Sequence, residues 1–320
     1  MIYDPPLPST RSTSALTMTT PSLNFVTCPD AQGSHRMAYW QWGDASAAHV
    51  VLCVHGLSRQ GRDFDVLAQA LVARSPVPLR VVCPDVVGRG RSDWLAQPMA
   101  YQIPTYAADM LALLAQLHAQ AAVATLDWVG TSMGGLIAMA ICGTPEAPLP
   151  VPVRKLVLND VGPVVQWQFI ERLRSYLGKT GFFATQQAAA DALWAISSTF
   201  GPHTPEQWLA LSIPMLKAHS TPQGEGWTLH YDPAIAEPVR ASTPEAAAQG
   251  EAVLWHLYDH ITAQTLLLRG QSSDLLAPAT AQAMQARGPK ARLLEFAGVG
   301  HAPTLVAADQ VAAVVGFLFG

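Results

Sequence analysis

Six short apolar runs, each closed by a turn residue, constrain this chain more than anything else in it. They are HVVLCVHG (residues 49–56), LRVVCPD (79–85), TLDWVGTS (125–132), VRKLVLND (153–160), TLLLRG (265–270) and ARLLEFAG (291–298). Runs this short, β-rich and apolar without alternation, suit strands buried on both faces. Helical patterns fall between most of them, at residues 64–73, 106–118, 133–141, 279–286 and 305–317. Strand alternating with helix predicts an α/β protein whose mostly parallel central sheet is flanked by helices. MAYWQWG (37–43) alternates by twos and is expected as an earlier, antiparallel strand.

Residues 163–260 break the rhythm. No buried strand is evident there; helix-like segments occupy 167–177, 186–198, 205–218 and 244–258. A long helical insertion between two strands is expected as a lid or cap over the strand ends. The reading is a core of residues 25–162 and 261–320, a helical cap over 163–260, and a loose N-terminal segment over 1–24, rich in Pro, Ser and Thr. Met18 is a candidate alternative start. Trp167, Trp194, Trp208, Trp227 and Trp255 all fall in the insertion. Individually they read as core; collectively some are expected at the mouth of a pocket.

With 320 residues, half of them hydrophobic, the chain can bury a large core. Only 13% of residues are charged, the net charge is −4, and no basic stripe appears. That argues against nucleic-acid and anionic-membrane partners and for a neutral small molecule. The N-terminus lacks the apolar stretch of a secretion signal, and no apolar run is long enough to span a bilayer. Cys28, Cys53, Cys83 and Cys142 form no C-x-x-C pair and read as small buried hydrophobes of a reducing cytoplasm.

Gly130-Thr131-Ser132-Met133-Gly134 fits G-x-S-x-G. The pentapeptide alone arises often by chance. Here an apolar strand precedes it and an apolar helix follows, so it reads as a sharp strand-to-helix turn that projects Ser132 clear of the sheet. Residues two before and two after the serine must be tiny to avoid collision, as Gly130 and Gly134 are. A serine nucleophile needs a base, and the base an acid, in the chain order serine, acid, histidine. His301 follows the last expected strand. Asp274 follows the strand before it, and it is the expected acid. Asp160, also at a strand end, is its rival. All lie at carboxyl ends of parallel strands, where open α/β sheets place their sites. The N–H of Met133 and that of Leu57, after His55-Gly56, are the expected donors to an oxyanion. His55 reads as a loop-ordering residue, and Asp109, on a helix with Tyr106, as a structural hydrogen-bonding group.

VHGLSRQGRDF, CPDVVGRGRSD, GTSMGG, GQSSDLLAP and GVGHAP, in this order, resemble the α/β-hydrolase superfamily, closest to its capped serine esterase and C–C hydrolase-like branch. The resemblance covers residues 37–320 apart from the cap. It implies Ser132, Asp274 and His301 as a catalytic triad and Leu57 and Met133 as the oxyanion hole. Epoxide hydrolases and haloalkane dehalogenases of the superfamily carry Asp at the nucleophile position, where this chain has Ser132. The turn holding Asp85, Arg89, Arg91, Ser92 and Asp93 is expected to brace loops, like its counterparts. The implied function is hydrolysis of a carboxylic ester of a small to medium, largely apolar substrate through an acyl-enzyme. The alternatives are a C–C bond hydrolase of the meta-cleavage type, a lactonase, and a non-catalytic ligand-binding protein. Arg59 is the candidate contact for a substrate carboxylate, which would favour the C–C reading. No H-E-x-x-H, clustered Cys/His or phosphate-loop pattern occurs, so no metal and no cofactor is expected. The expected partner is a small-molecule ester, and the composition is compatible with a homo-oligomer.

Overall fold

The computed structural model describes residues 20–222 and 224–320. Eight strands form one sheet: β1 (Ser22–Asp30), β2 (Gly33–Gly43), β3 (His49–Val54), β4 (Leu79–Pro84), β5 (Thr125–Thr131), β6 (Val153–Asn159), β9 (Gln264–Gly270) and β10 (Arg292–Phe296). Their spatial order is β1-β2-β4-β3-β5-β6-β9-β10. β1 and β2 pair antiparallel, β2 joins β4 antiparallel, and every later pairing is parallel. The core helices are α1 (Asp65–Arg74), α2 (Ile103–Gln120), α3 (Met133–Cys142), α9 (Pro278–Ala286) and α10 (Ala308–Phe319).

The apolar runs of β3, β4, β5, β6 and β9 have largely the two-sided burial they suggested, but β10, at the edge of the sheet, does not: Arg292 and Glu295 are exposed. β3 and β4 are buried at every residue. Along β3, Val50, Leu52 and Val54 join a core with Leu113, Ile137 and Met139, from α2 and α3. Val51 and Cys53 join the opposite core with Leu67, Leu71 and Val314, from α1 and α10. The two-residue period of a strand thus feeds two hydrophobic layers from one run.

Between β6 and β9 stand α4 (Trp167–Tyr176), α5 (Gln186–Ser197), α6 (Pro205–Ser212), the strands β7 (Leu216–Thr221) and β8 (Gly224–Leu229), α7 (Ala236–Ala241) and α8 (Pro244–Asp259). The sequence places helices here but not the antiparallel pair β7–β8. The expected helix over 205–218 stops at Ser212, where Pro214 interrupts it with a short 3-10 turn and the chain continues as β7. α6 begins with a capping box between Thr204 and Gln207. α8 lines the cleft at Gly250 and also reaches the core helices. It packs flush on α3: a Cβ on Gly143 would sit 2.2 Å from the Leu257 carbonyl oxygen. The Tyr258 hydroxyl donates to the Met284 carbonyl at 2.7 Å, tying α8 to α9.

The N-terminal expectation needs a correction. Residues 22–24, assigned to a loose segment, begin β1, which pairs with β2 along its whole length. Polar residues and Pro29 mask that strand in the sequence, because an edge strand with one wet face needs few apolar residues. The rest of that segment, with Met18, lies outside the described residues. All four cysteines are free thiols, and Cys28, Cys53 and Cys83 are buried. Among the described residues no helix is long and apolar enough to cross a membrane.

Candidate active site

Ser132 stands between the end of β5 and the start of α3, with φ 52° and ψ −116°. A non-glycine residue adopts positive φ only under constraint. Here the constraint is close packing. A Cβ on Gly130 would lie 2.5 Å from the Gly134 carbonyl oxygen, and one on Gly134 would lie 2.0 Å from that of Val54. The two glycines let β5, β3 and α3 approach until only this turn fits. The Ser132 N–H donates to the Asn159 carbonyl at 3.0 Å, which anchors the turn to β6.

His301, in the loop after β10, reaches the serine: its Nε2 is 3.0 Å from Ser132 Oγ. Its Nδ1 is 2.7 Å from Asp160 Oδ2. Asp160, rather than Asp274, therefore stands against the histidine. It follows β6 directly, with φ 55°, and is fully buried. Its Oδ1 accepts from the Gly270 N–H at 2.9 Å, and its Oδ2 also accepts from Ser273 Oγ at 2.7 Å. Asp274 lies beyond that serine with its side chain 48% exposed, ion-paired at 2.9 Å to Arg172 of α4. Both aspartates follow carboxyl ends of strands. Asp160 sits immediately past its strand and turns over the sheet edge, whereas the extra residues after Gly270 carry Asp274 outward. The edge of the His301 ring meets Phe169 of α4, with centroids 4.9 Å apart at 83°.

Leu57 and Met133 line the same cleft as Ser132 and His301. Met133 is the first residue of α3, so its N–H is one that a helix leaves unpaired, at the positive end of the helix dipole. Arg89, fully buried, clasps both residues: its Nε donates to the Leu57 carbonyl at 2.8 Å, and its Nη2 lies 3.7 Å from Met133 Sδ. The sequence singled out Arg89 as one member of a bracing turn, but nothing in the sequence shows that it reaches this loop. Asp85 does brace: its Oδ1 accepts from Gly61 N–H and its Oδ2 from Arg91 N–H, each at 2.8 Å. Burial raises the Asp85 pKa to about 6. His55 likewise orders the loop. Its Nε2 accepts from the Val86 N–H at 2.9 Å and its Nδ1 is 2.7 Å from the Gly56 carbonyl oxygen, so it is neutral. Burial pushes its pKa down to about 3.

The cleft has a volume of about 640 Å³ and runs from the strand ends to the underside of the insertion. No tryptophan lines it, contrary to expectation. Trp194 and Trp208 instead meet edge to face with centroids 4.9 Å apart, and Trp255 lies under Arg287 at 4.2 Å. The apolar walls come from residues such as Met99, Ile103, Leu136, Val165 and Phe200. Arg59 also lines the cleft, but Asp63 holds it at both ends, Nε to Oδ2 at 2.7 Å and Nη2 to Oδ1 at 2.8 Å. Burial raises the Asp63 pKa. Asp109 has the structural role expected of it: its Oδ2 is 3.1 Å from His35 Nε2.

Known proteins agree with this architecture. The profile of the alpha/beta hydrolase family matches residues 51–314. A 3-hydroxybutyrate-oligomer hydrolase of Cupriavidus necator is 48% identical over 300 residues, which cover 94% of this chain and 98% of that protein. The crystal structure of an alpha/beta hydrolase from Novosphingobium aromaticivorans, 34% identical, superposes with a TM-score of 0.77 over 94% of this chain and 99% of the other. An esterase of Mycobacterium tuberculosis, 21% identical, shares the fold with a TM-score of 0.63 over 94% of this chain and 90% of its own. A serine held at positive φ between strand and helix, a histidine against it, and a family match over most of the length identify the chain as a hydrolase of the alpha/beta hydrolase family.

Proposed function

We infer that the protein is a serine ester hydrolase acting on short oligomeric esters of a 3-hydroxy acid. The observation that carries this reading is the hydrogen-bonded series from Ser132 Oγ through His301 to Asp160, at 3.0 and 2.7 Å, on the floor of an apolar cleft. Ser132 Oγ attacks the ester carbonyl as His301 Nε2 takes its proton. Asp160 holds the Nδ1 proton, fixes the tautomer and stabilises the imidazolium. The Leu57 and Met133 N–H groups receive the developing oxyanion. His301 then returns its proton to the leaving alkoxide, and a water activated by the same imidazole releases the acid from the acyl-enzyme. The insertion from α4 to α7 acts as the cap that closes the cleft. The name of the 48% identical relative supports the oligomeric hydroxyacid ester as substrate. The free thiols support a reducing, cytoplasmic setting. Asp63 engages Arg59 at both Nε and Nη2, so Arg59 is not the free cation that the C–C reading would draw on.

The test is release of 3-hydroxybutyrate from its dimer and trimer, beside a series of p-nitrophenyl esters, by wild type and by Ser132→Ala. Wild type should cleave both kinds of ester, and Ser132→Ala should lose about four orders of magnitude or more. Full turnover by Ser132→Ala, or no cleavage of any ester by wild type, overturns the reading.

A further inference from the structure

One charged group in the cleft is incompletely used. Arg172 lies on α4, whose residues Phe169, Arg172, Leu173 and Tyr176 all line the cleft. Spacings of three and four put these side chains on one face of the helix. The Arg172 guanidinium lies over the Phe169 ring, 5.0 Å from its centroid, and the edge of His301 meets that ring in turn. The positive charge thus sits one ring away from the histidine of the active site.

Its hydrogen bonding is lopsided. A guanidinium offers five donors in a flat fork that fits a carboxylate with two parallel bonds. Both Asp274 contacts, at 3.2 and 2.9 Å, are made by Nη2 alone. Nε is buried and has no partner among the described residues. Arg59 differs: Asp63 engages its Nε and Nη2 together, as a fork should be engaged. Asp274 is the looser acid, half exposed, and exposed ion pairs of this kind contribute little.

We propose that Arg172 is the carboxylate subsite of this cleft, with Asp274 occupying it until a substrate carboxylate takes its place. The ligand class is a short ester whose alcohol portion ends in a free carboxylate, as the acid end of a hydroxyacid oligomer does. Such a carboxylate would engage Nε and Nη together and satisfy the orphaned donor, while Asp274 turns into water. A carboxylate two carbons from the ester oxygen would set the ester linkage nearest the acid end over Ser132, so the enzyme would remove single units from that end. The substrate identity rests on the functional reading above, but the subsite can be tested without turnover.

The experiment compares 3-(butyryloxy)butyrate with its methyl ester, which lacks the charge but carries a second ester bond, so turnover of both is followed as release of butyrate from the bond they share. Binding is measured by calorimetry in the Ser132→Ala background, and kcat/KM in the wild-type background. The acid should bind about tenfold or more tighter than its methyl ester, as a charge-assisted pair implies. Arg172→Gln should abolish that preference, Arg172→Lys should retain part of it, and Asp274→Asn should increase it by freeing the guanidinium. In turnover, Arg172→Gln should raise KM for the acid far more than for the methyl ester. Equal binding of acid and ester to Ser132→Ala overturns the subsite, as does an Arg172→Gln that weakens both equally. If Ser132→Ala turns over either ester at the wild-type rate, the functional reading fails, while the binding preference still decides the subsite.

Discussion

Replacing Asp160 by Asn tests the active-site geometry most sharply, because the surrounding hydrogen bonds dictate how the amide must sit. The aspartate is fully buried and accepts three hydrogen bonds, from the Gly270 N–H at 2.9 Å, Ser273 Oγ at 2.7 Å and His301 Nδ1 at 2.7 Å. The Asn oxygen must stay against the Gly270 N–H, since the reverse orientation would set donor against donor. The NH2 group then faces Ser273 Oγ, which can accept, and His301 Nδ1. The imidazole is forced to accept at Nδ1 and carry its proton on Nε2, so it cannot take the proton of Ser132. Loss of the correct tautomer costs about 10⁴ in kcat, or about 5.4 kcal/mol of barrier. By contrast, Asp274→Asn removes only a half-exposed contact with Arg172, worth no more than about fivefold on a neutral ester. The assay is kcat on p-nitrophenyl butyrate, with circular dichroism and a thermal midpoint for each variant to show that it is folded. A crippled Asp274→Asn beside an Asp160→Asn within tenfold of wild type would refute the assignment.

Two further expectations concern groups away from Ser132. Arg89→Lys keeps the charge but loses the geometry that joins the Leu57 carbonyl to Met133. It should lower kcat by about tenfold to a hundredfold, short of the full loss of an oxyanion donor, with KM little changed; an unaltered kcat would remove Arg89 from a positioning role. His35 lies between Asp109 and Asp30, with Nε2 at 3.1 Å and Nδ1 at 2.8 Å. Burial lowers its pKa, but the hydrogen bonds to Asp109 and Asp30 outweigh that and raise it from 6.5 to about 8. The imidazolium therefore contributes stability that is fully present below pH 6.5 and is lost as pH rises through about 8, on the order of 1–2 kcal/mol. Urea unfolding across that window should show the decline, and His35→Gln should flatten it; parallel curves would refute the clamp.

Much of the architecture is legible in the sequence because its signals are local. An apolar run between turn residues becomes a strand buried on both faces where it lies inside the sheet, and G-x-S-x-G carries in its own glycines the small residues that the turn at Ser132 needs. His301 is legible too, as the histidine that follows the last strand. The signals weaken where stability comes from partners far along the chain. β1 is an edge strand that holds its place by pairing with β2, and its alternation is blurred by polar residues on the wet face. β7 and β8 form by pairing with each other after Pro214 ends the helical pattern. The tryptophans of the insertion are distinctive as residues, yet their ring partners decide that Trp194 and Trp208 pack against each other, that Trp167 and Trp255 lie under arginines, and that other side chains line the cleft.

Fold class could be read from the residues alone, and so could Ser132 and His301 as a candidate pair, since each rests on a short pattern whose steric meaning is the same wherever it occurs. Only the tertiary structure decided which aspartate meets His301, what neutralises Arg59, and where Arg172 points. Asp160 and Asp274 have equivalent credentials along the chain, each polar and each just past a strand. What separates them is a distance between side chains 141 residues apart in sequence, Asp160 and His301, and how far each chain has travelled from its strand end before the aspartate appears. Distances of that kind are set by strand order and by packing over the sheet edge, and neither is written in the spacing of residues.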